Sequence, residues 1–224
     1  MKIQLINQSN VFDTDFKNVV AAMQAFVPMV TKAWNIPDVE VTTDKGDWLV
    51  YITEQFRHLG AAGYHTLANG VPVAYISPKA SGTSVYGKFW KAVTVKGKQL
   101  LPDRYTEGLV TVVAHEIAEM LCDPQIQTVS GVDFKGRKWL IEVCDHVFGV
   151  YQSITVNGQL CVIPDVTTPA FYDQHGQAPY DIFNTIQAPF IMSPKGYGYY
   201  YDLNNKLTKK QNKILFSSFS DDID

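Results

Sequence analysis

The chain has few cysteines, little net charge and no long apolar run. Its three cysteines are an odd number in 224 residues and lie inside apolar stretches, which favours reduced core thiols over a disulfide framework. A formal net charge of -3 excludes the strongly basic surface of a nucleic-acid-binding domain. No apolar run approaches the roughly 18 residues that a transmembrane helix needs. The first residues, MKIQLINQSNVFDTDF, lack the basic-then-apolar order of a signal peptide. We therefore expect a protein made in the cytosol, with neither nucleic-acid nor membrane partners.

The composition is that of a globular protein with a substantial core. Hydrophobic residues make up 46% of the chain and aromatic residues 12%, so the chain is not disordered. Helical and strand-like segments follow one another in an α+β order, with an N-terminal helix predicted over 15–34 and a small mixed sheet. We expect this sheet and helix to pack on a second, buried helix, in one domain over 1–201.

The buried helix is predicted over residues 106–122, TEGLVTVVAHEIAEMLC. From residue 109 onward its only polar side chains are those of Thr111, His115, Glu116 and Glu119. A helix that is apolar on nearly every face is buried in the core. The sequence therefore places three ionisable groups of this helix inside the protein.

The ionisable groups share one side of the predicted helix. At about 100° per residue, Glu119, Asp123 and Glu116 fall within roughly 100° of the helix histidine. Burying unpaired carboxylates is unfavourable by several kcal/mol each, so such a cluster persists when it binds a cation or is fully hydrogen-bonded. We interpret it as a metal site, with a metal-free cluster of buried ion pairs as the alternative.

The spacing is that of a His-Glu-x-x-His zinc helix in which Glu119 replaces the second histidine. Ligands at i and i+4, here His115 and Glu119, lie one turn apart and converge on one ion. Glu116 lies beside that ion and can take a proton from water, which makes it the candidate catalytic residue. Zinc is the expected ion, and the oxygen-rich ligand set leaves manganese or calcium as alternatives.

A third protein ligand is expected downstream, in the apolar run WLIEVCDHVFGV. Asp145 is the favoured candidate and Glu142 the close alternative. In a strand the two would point to opposite faces, whereas a helical turn would let both approach the metal. His146, Cys144 and, through a water, Asp123 are further options; a lone histidine in an apolar run is more often a hydrogen-bonded core residue.

Several segments together resemble a known family, the zincin-like metallopeptidase-type proteins encoded by tailed bacteriophages and some bacteria. The resemblance spans roughly Phe26 to Tyr201 and is carried by TKAWNIPDVEV, LGAAGYHTLANGVPVAYI, VVAHEIAEMLCDP, IEVCDHV, VNGQLCVIPDVTTPAFYD and APFIMSPKGYGY. It implies a compact zincin-like fold with His115 and Glu119 as the helix ligands and Glu116 as the general base. Glu142 and Asp145 match the downstream acidic pair.

Two functions follow from this resemblance as expectations. The first is a phage-encoded zinc metallopeptidase acting on a peptide or protein substrate. The alternative is a structural or assembly protein of the virion head, neck or tail, with a structural or vestigial metal site. Residues 202–224, basic and then acidic, are predicted to form a C-terminal arm that contacts other virion proteins. The expected location is the host cytoplasm during synthesis, and the virion if the protein is a component of it.

Overall fold

The fold was described from a computed structural model that covers residues 1–55, 61–79, 84–91, 94–95, 98–99 and 104–211. Its elements, in chain order, are β1 (Lys2–Gln8), α1 (Asp13–Trp34), β2 (Glu40–Thr42), β3 (Trp48–Thr53), β4 (Gly63–Ala68), β5 (Val71–Ile76), β6 (Lys88–Trp90), β7 (Thr94–Val95), β8 (Lys98–Gln99), β9 (Arg104–Thr106), α2 (Leu109–Cys122), β10 (Val129–Val132), β11 (Lys138–Leu140), β12 (Tyr151–Val156), β13 (Gln159–Pro164), a 3-10 helix (Pro169–Tyr172), β14 (Tyr197–Tyr201) and β15 (Leu207–Gln211). The predicted α+β class is confirmed.

The first sheet is mixed and has the strand order β2-β1-β3-β5-β4. β1 pairs in parallel with β2 and β3, and β3 pairs in parallel with β5. The central strands carry buried apolar side chains such as Leu5, Val50 and Ile76, as strands covered on their faces require. β4 is antiparallel to β5 and forms the edge of this sheet on the side of α2. The sequence predicts strands over 2–5, 39–43, 47–53 and 71–77, which correspond to β1, β2, β3 and β5, but it did not predict β4.

The two helices pack on each other and form one continuous apolar core with the sheet. α1 buries a stripe that includes Val19, Met23, Phe26 and Val30, at the spacing of one helical face. α2 is buried along almost its whole length, as predicted, and it contacts β4, β5 and β13. Its predicted start at Thr106 is wrong, since β9 ends there and α2 begins three residues later.

The rest of the core is closed by the hairpin β12–β13 and by a second, antiparallel sheet ordered β10-β11-β14-β15. The hairpin turns at Asn157 and Gly158, where both residues have positive φ, which is the conformation that an Asn-Gly turn provides. In the second sheet, β15 pairs with β14 along five residues. Residues 207–211 of the predicted C-terminal arm are therefore a strand of this sheet, and 212–224 lie outside the described residues.

A flap was also expected between β5 and α2, with its tip at Lys96-Gly97-Lys98. Of that region the structure describes β6 paired with β9 and β7 paired with β8. The tip residues Lys96 and Gly97 lie outside the described residues. Neither helix in the described part of the chain has the length and apolarity that a bilayer-spanning segment requires.

Two buried aspartates tie the segment after β13 to the loop that precedes β14. Asp165 and Asp181 are fully buried and hydrogen-bonded to each other. Asp165 also accepts from the backbone N–H groups of Val166 and Phe183, at 2.8 and 3.2 Å. Burial, the hydrogen bond to Asp181 and the charge of Asp181 raise the pKa of Asp165 to about 9. Asp165 therefore retains its proton at neutral pH in the folded protein.

The substitution Asp165→Asn should flatten the pH dependence of stability. The pKa of an aspartate in an unfolded chain is about 3.9, so the folded protein retains a proton that the unfolded chain releases. The stabilisation is complete below about pH 4 and is lost as the pH rises toward 9, with a slope of at most ~1.4 kcal/mol per pH unit. Urea unfolding at several pH values measures this slope for both proteins. Parallel stability profiles for the two proteins would contradict the protonation of Asp165.

Candidate metal centre

The helix ligands predicted from the sequence are brought together on α2. The Nε2 atom of His115 lies 3.2 Å from Oε1 of Glu119, one turn further along. The N-terminus of the helix is fixed by Thr111, whose hydroxyl accepts from the Gly108 N–H at 3.1 Å and donates to the Val162 carbonyl at 2.9 Å. α2 is thus held against the hairpin at its start, and its interior side chains are presented in a fixed register.

The third group comes from a turn that follows β11. Oδ1 of Asp145 lies 3.4 Å from Nε2 of His115, and the three groups together have the separations of potential metal ligands. The turn is helical in its hydrogen bonding, since the N–H of His146 donates to the Glu142 carbonyl at 3.3 Å and that of Phe148 to the Asp145 carbonyl at 3.2 Å. The Tyr197 N–H, at the start of β14, also donates to the Asp145 carbonyl at 2.9 Å.

Two oxygens of this cluster are buried without a hydrogen-bond donor. Oε1 of Glu119 and Oδ1 of Asp145 make no hydrogen bond of good geometry, although both lie at ion-pair distance from Nε2 of His115, at 3.2 and 3.4 Å. Buried carboxylate oxygens are normally hydrogen-bonded, because desolvation without a partner is unfavourable. One nitrogen and two oxygens converging in this way match the donor types that zinc binds in proteins. The residues present therefore fit a divalent cation.

Burial and neighbouring charges shift the pKa values of the ionisable groups in this cluster. Burial lowers the pKa of His115, but the nearby carboxylates outweigh it, and the net pKa lies well above its usual value. Burial raises the pKa of Asp145, and the charge of Glu119 adds to the effect. For Glu142, burial and the charges of Glu119 and Asp145 raise the pKa to about 10. The carboxylates repel one another unless protons or a cation neutralise them.

Glu142 is a neighbour of the centre and is not among the three converging donors. Its carboxylate interacts electrostatically with those of Glu119 and Asp145, because the helical turn lets residues i and i+3 approach the same point. The favoured third ligand, Asp145, therefore has the better geometry, and Glu142 stands beside it. Tyr197 hydrogen-bonds to the Asp145 carboxylate through its hydroxyl, which fixes that carboxylate from the second sheet.

Three other candidates are used elsewhere. Asp123 accepts from the N–H and the hydroxyl of Thr128, at 2.9 and 2.5 Å, and so closes the turn after α2. The Cys144 thiol donates to the His115 carbonyl at 3.8 Å. His146 is fully buried against aromatic rings, its Nδ1 lies 3.0 Å from the Tyr172 hydroxyl, and burial lowers its pKa to about 3. His146 is therefore a neutral core residue.

A second histidine, His65, lies beside Glu116 and Glu119. His65 is on β4, and its Nδ1 atom is 3.4 Å from Oε2 of Glu116 and 3.6 Å from Oε2 of Glu119. The sequence did contain a signal for this placement. Asn69-Gly70 predicts a hairpin, so the strand that it pairs with β5 must run through 63–68 and carry His65 on one of its faces.

Comparison of the chain with protein-family models, with curated proteins and with solved structures found no match. The resemblance to zincin-like phage proteins therefore stays a prediction. The candidate site is therefore argued from its geometry alone.

Zinc binding near neutral pH should release protons from the centre. In the metal-free protein Glu142 retains a proton, since its pKa is about 10, and the neighbouring carboxylates shift the pKa of His115 well above its usual value; a cation requires a neutral imidazole and favours ionised carboxylates. Zinc affinity should accordingly fall as the pH is lowered. Calorimetric titration in two buffers of different ionisation enthalpy counts the protons.

The variant Glu142→Gln provides the matched control for this experiment. It removes one titrating group and leaves the three converging donors in place, so zinc should still bind with fewer protons released. Binding without proton release in the wild type would contradict the protonation states assigned here.

Proposed function

We propose that the protein is a zincin-like metal-dependent hydrolase, a metallopeptidase for peptide or protein substrates. His115, Glu119 and Asp145 would hold the metal, and Glu116 would act as the general base. The observation that supports this most directly is the convergence of two buried carboxylate oxygens, of Glu119 and Asp145, on Nε2 of His115, without hydrogen bonds of good geometry to any of the described residues.

The metal, when bound, supplies Lewis-acid polarisation of a carbonyl and makes water more acidic. Glu116 follows the first ligand on α2, so its carboxylate lies beside the site and accepts a proton from the attacking water. Glu116 is buried, which keeps competing solvent away from it. After bond cleavage the same carboxylate can return the proton to the leaving amine.

The position of β4 supports a peptide as the substrate. β4 is the edge strand of the first sheet among the described residues, and it lies over α2. An extended peptide can pair with such an edge through main-chain hydrogen bonds, which brings its backbone carbonyls past the side chains of α2. This arrangement favours a polypeptide over a small compact substrate.

Zinc remains the proposed ion because the site combines an imidazole with two carboxylates, which are donor types that zinc binds in proteins. With Glu119 and Asp145 as ligands, the two anionic groups would offset the charge of a bound ion more than two neutral imidazoles would, so turnover at neutral pH would be slower than in a three-histidine site. Manganese and calcium are the alternatives to test by metal exchange.

The alternative function as a virion structural or assembly protein depends on a C-terminal arm. The described part of that segment, through residue 211, belongs to the second sheet. Residues 212–224 lie outside the described residues, so contacts with other virion proteins stay a prediction.

Replacing Glu116 by Gln should separate binding from catalysis. Glutamine keeps the size of the side chain but cannot accept a proton, so the zinc content should stay at the wild-type level while cleavage falls by about 10²- to 10⁴-fold. Cleavage is measured on zinc-loaded protein with a mixed set of quenched fluorescent peptides and with unfolded casein.

Glu40→Gln is the matched control, because Glu40 is an exposed residue that pairs with Lys2 on the surface. This variant should cleave as the wild type does. Equal activity in Glu116→Gln would contradict the role of Glu116 as the base, and zinc-loaded wild type without any peptide cleavage would contradict the peptidase assignment.

A further inference from the structure

We infer that His65 is a positioning residue that holds the base Glu116 and the metal ligand Glu119 from the edge strand β4. The inference rests on the proposed function, since the roles of the two glutamates are those assigned there. It adds a residue from a different part of the chain, 50 positions before the helix histidine, to the working parts of the site.

The protonation of the facing atoms follows from their chemistry. Nδ1 of His65 lies 3.4 Å from Oε2 of Glu116 and 3.6 Å from Oε2 of Glu119. Carboxylate oxygens act as hydrogen-bond acceptors, so we assign the hydrogen of this contact to Nδ1 of His65. The contact with Glu116 is a long hydrogen bond and the contact with Glu119 is an electrostatic one. One N–H group therefore lies between the base and the ligand.

Glu119 uses its two oxygens in different directions. Oε1 faces His115 at 3.2 Å, and Oε2 faces His65 at 3.6 Å. His65 thus acts on the side of the carboxylate that is turned away from the metal site. A donor in that position fixes the rotation of the carboxylate and keeps its other oxygen aimed at the ion.

Glu116 is confined by two residues of the same strand. Gly63 and His65 are two positions apart on β4 and so lie on one face of it. A Cβ atom at Gly63 would lie only 2.7 Å from Oε1 of Glu116. The carboxylate therefore fits between the bare backbone of Gly63 on one side and the imidazole of His65 on the other.

His65, Glu116 and Glu119 could instead hold a second cation, because their donor atoms also lie within ligand distance of one another. The buried atoms without a partner argue against this. Among the described residues, the unpartnered carboxylate oxygens of the centre are those that face His115, whereas Oε2 of Glu116 has His65 as its partner. His65 therefore serves as a hydrogen-bond partner of Glu116, and the cation site is the one formed by His115, Glu119 and Asp145.

The test compares His65→Asn with His65→Gln in the full chain. The amide nitrogen of asparagine is attached to Cγ, as Nδ1 is in histidine, so it can take over the donor position. The amide of glutamine is one bond further out and cannot. Removing an outer partner of a metal ligand typically lowers affinity about 10- to 100-fold. We expect that loss for zinc in His65→Gln and in His65→Leu, and near wild-type affinity in His65→Asn.

Zinc affinity is measured by competition with a chromophoric chelator, and the ligand geometry by the visible spectrum of the cobalt(II)-loaded protein. Thr66→Val is the matched control, since residue 66 points to the opposite face of β4, and it should leave both readouts unchanged. Urea unfolding of chelator-treated protein checks that each variant folds. If His65 had a purely structural role, the loss of zinc affinity in the asparagine and glutamine variants would follow their loss of folding stability.

Three results would overturn the inference. They are unchanged affinity in both His65→Gln and His65→Leu, equal loss in His65→Asn and His65→Gln, and two ions per wild-type chain of which one is lost in His65→Leu. A wild-type chain that binds no zinc would instead remove the proposed function, and the inference with it, so the two failures are distinguishable.

Discussion

The structure depends on the burial of carboxylates inside an apolar helix. Glu119 lies on a core element with nearly no solvent contact, and Asp145 is brought to it from another part of the chain. Each unpartnered buried charge is unfavourable by several kcal/mol, so the arrangement is stable only when protons or a cation balance it. The rest of the fold holds these groups together at the separations of potential metal ligands.

Each layer of the fold contributes one part of that geometry. The first sheet supplies β4, whose edge position brings His65 over α2. The second sheet supplies Tyr197, which fixes the Asp145 turn through both its backbone N–H and its hydroxyl. Buried His146 and Tyr172 anchor the same turn from inside the core. Because these contacts come from segments far apart in the chain, a substitution at any of them is expected to alter the positions of the side chains in the candidate site.

The sequence allowed the helix part of the centre to be predicted, because the i, i+4 relation of His115 and Glu119 is local and the apolar setting is visible in the composition. It favoured Asp145 as the third ligand but kept Glu142 as a close alternative, since strand and turn conformations predict different side-chain directions. His65 was missed as a site residue because its proximity depends on the pairing of β4 with β5 and the packing of both on α2. The start of α2 and the sheet membership of 207–211 likewise depend on long-range strand pairing rather than on local preference.

The account is tested most directly by the zinc content of the protein purified without chelators, measured by mass spectrometry for the wild type and for His115→Ala. The arrangement of one imidazole and two carboxylates predicts about one zinc per wild-type chain and its loss in the variant. A wild type without bound metal that also takes up no added zinc would contradict it. The cluster would then be a buried set of protonated and ion-paired side chains.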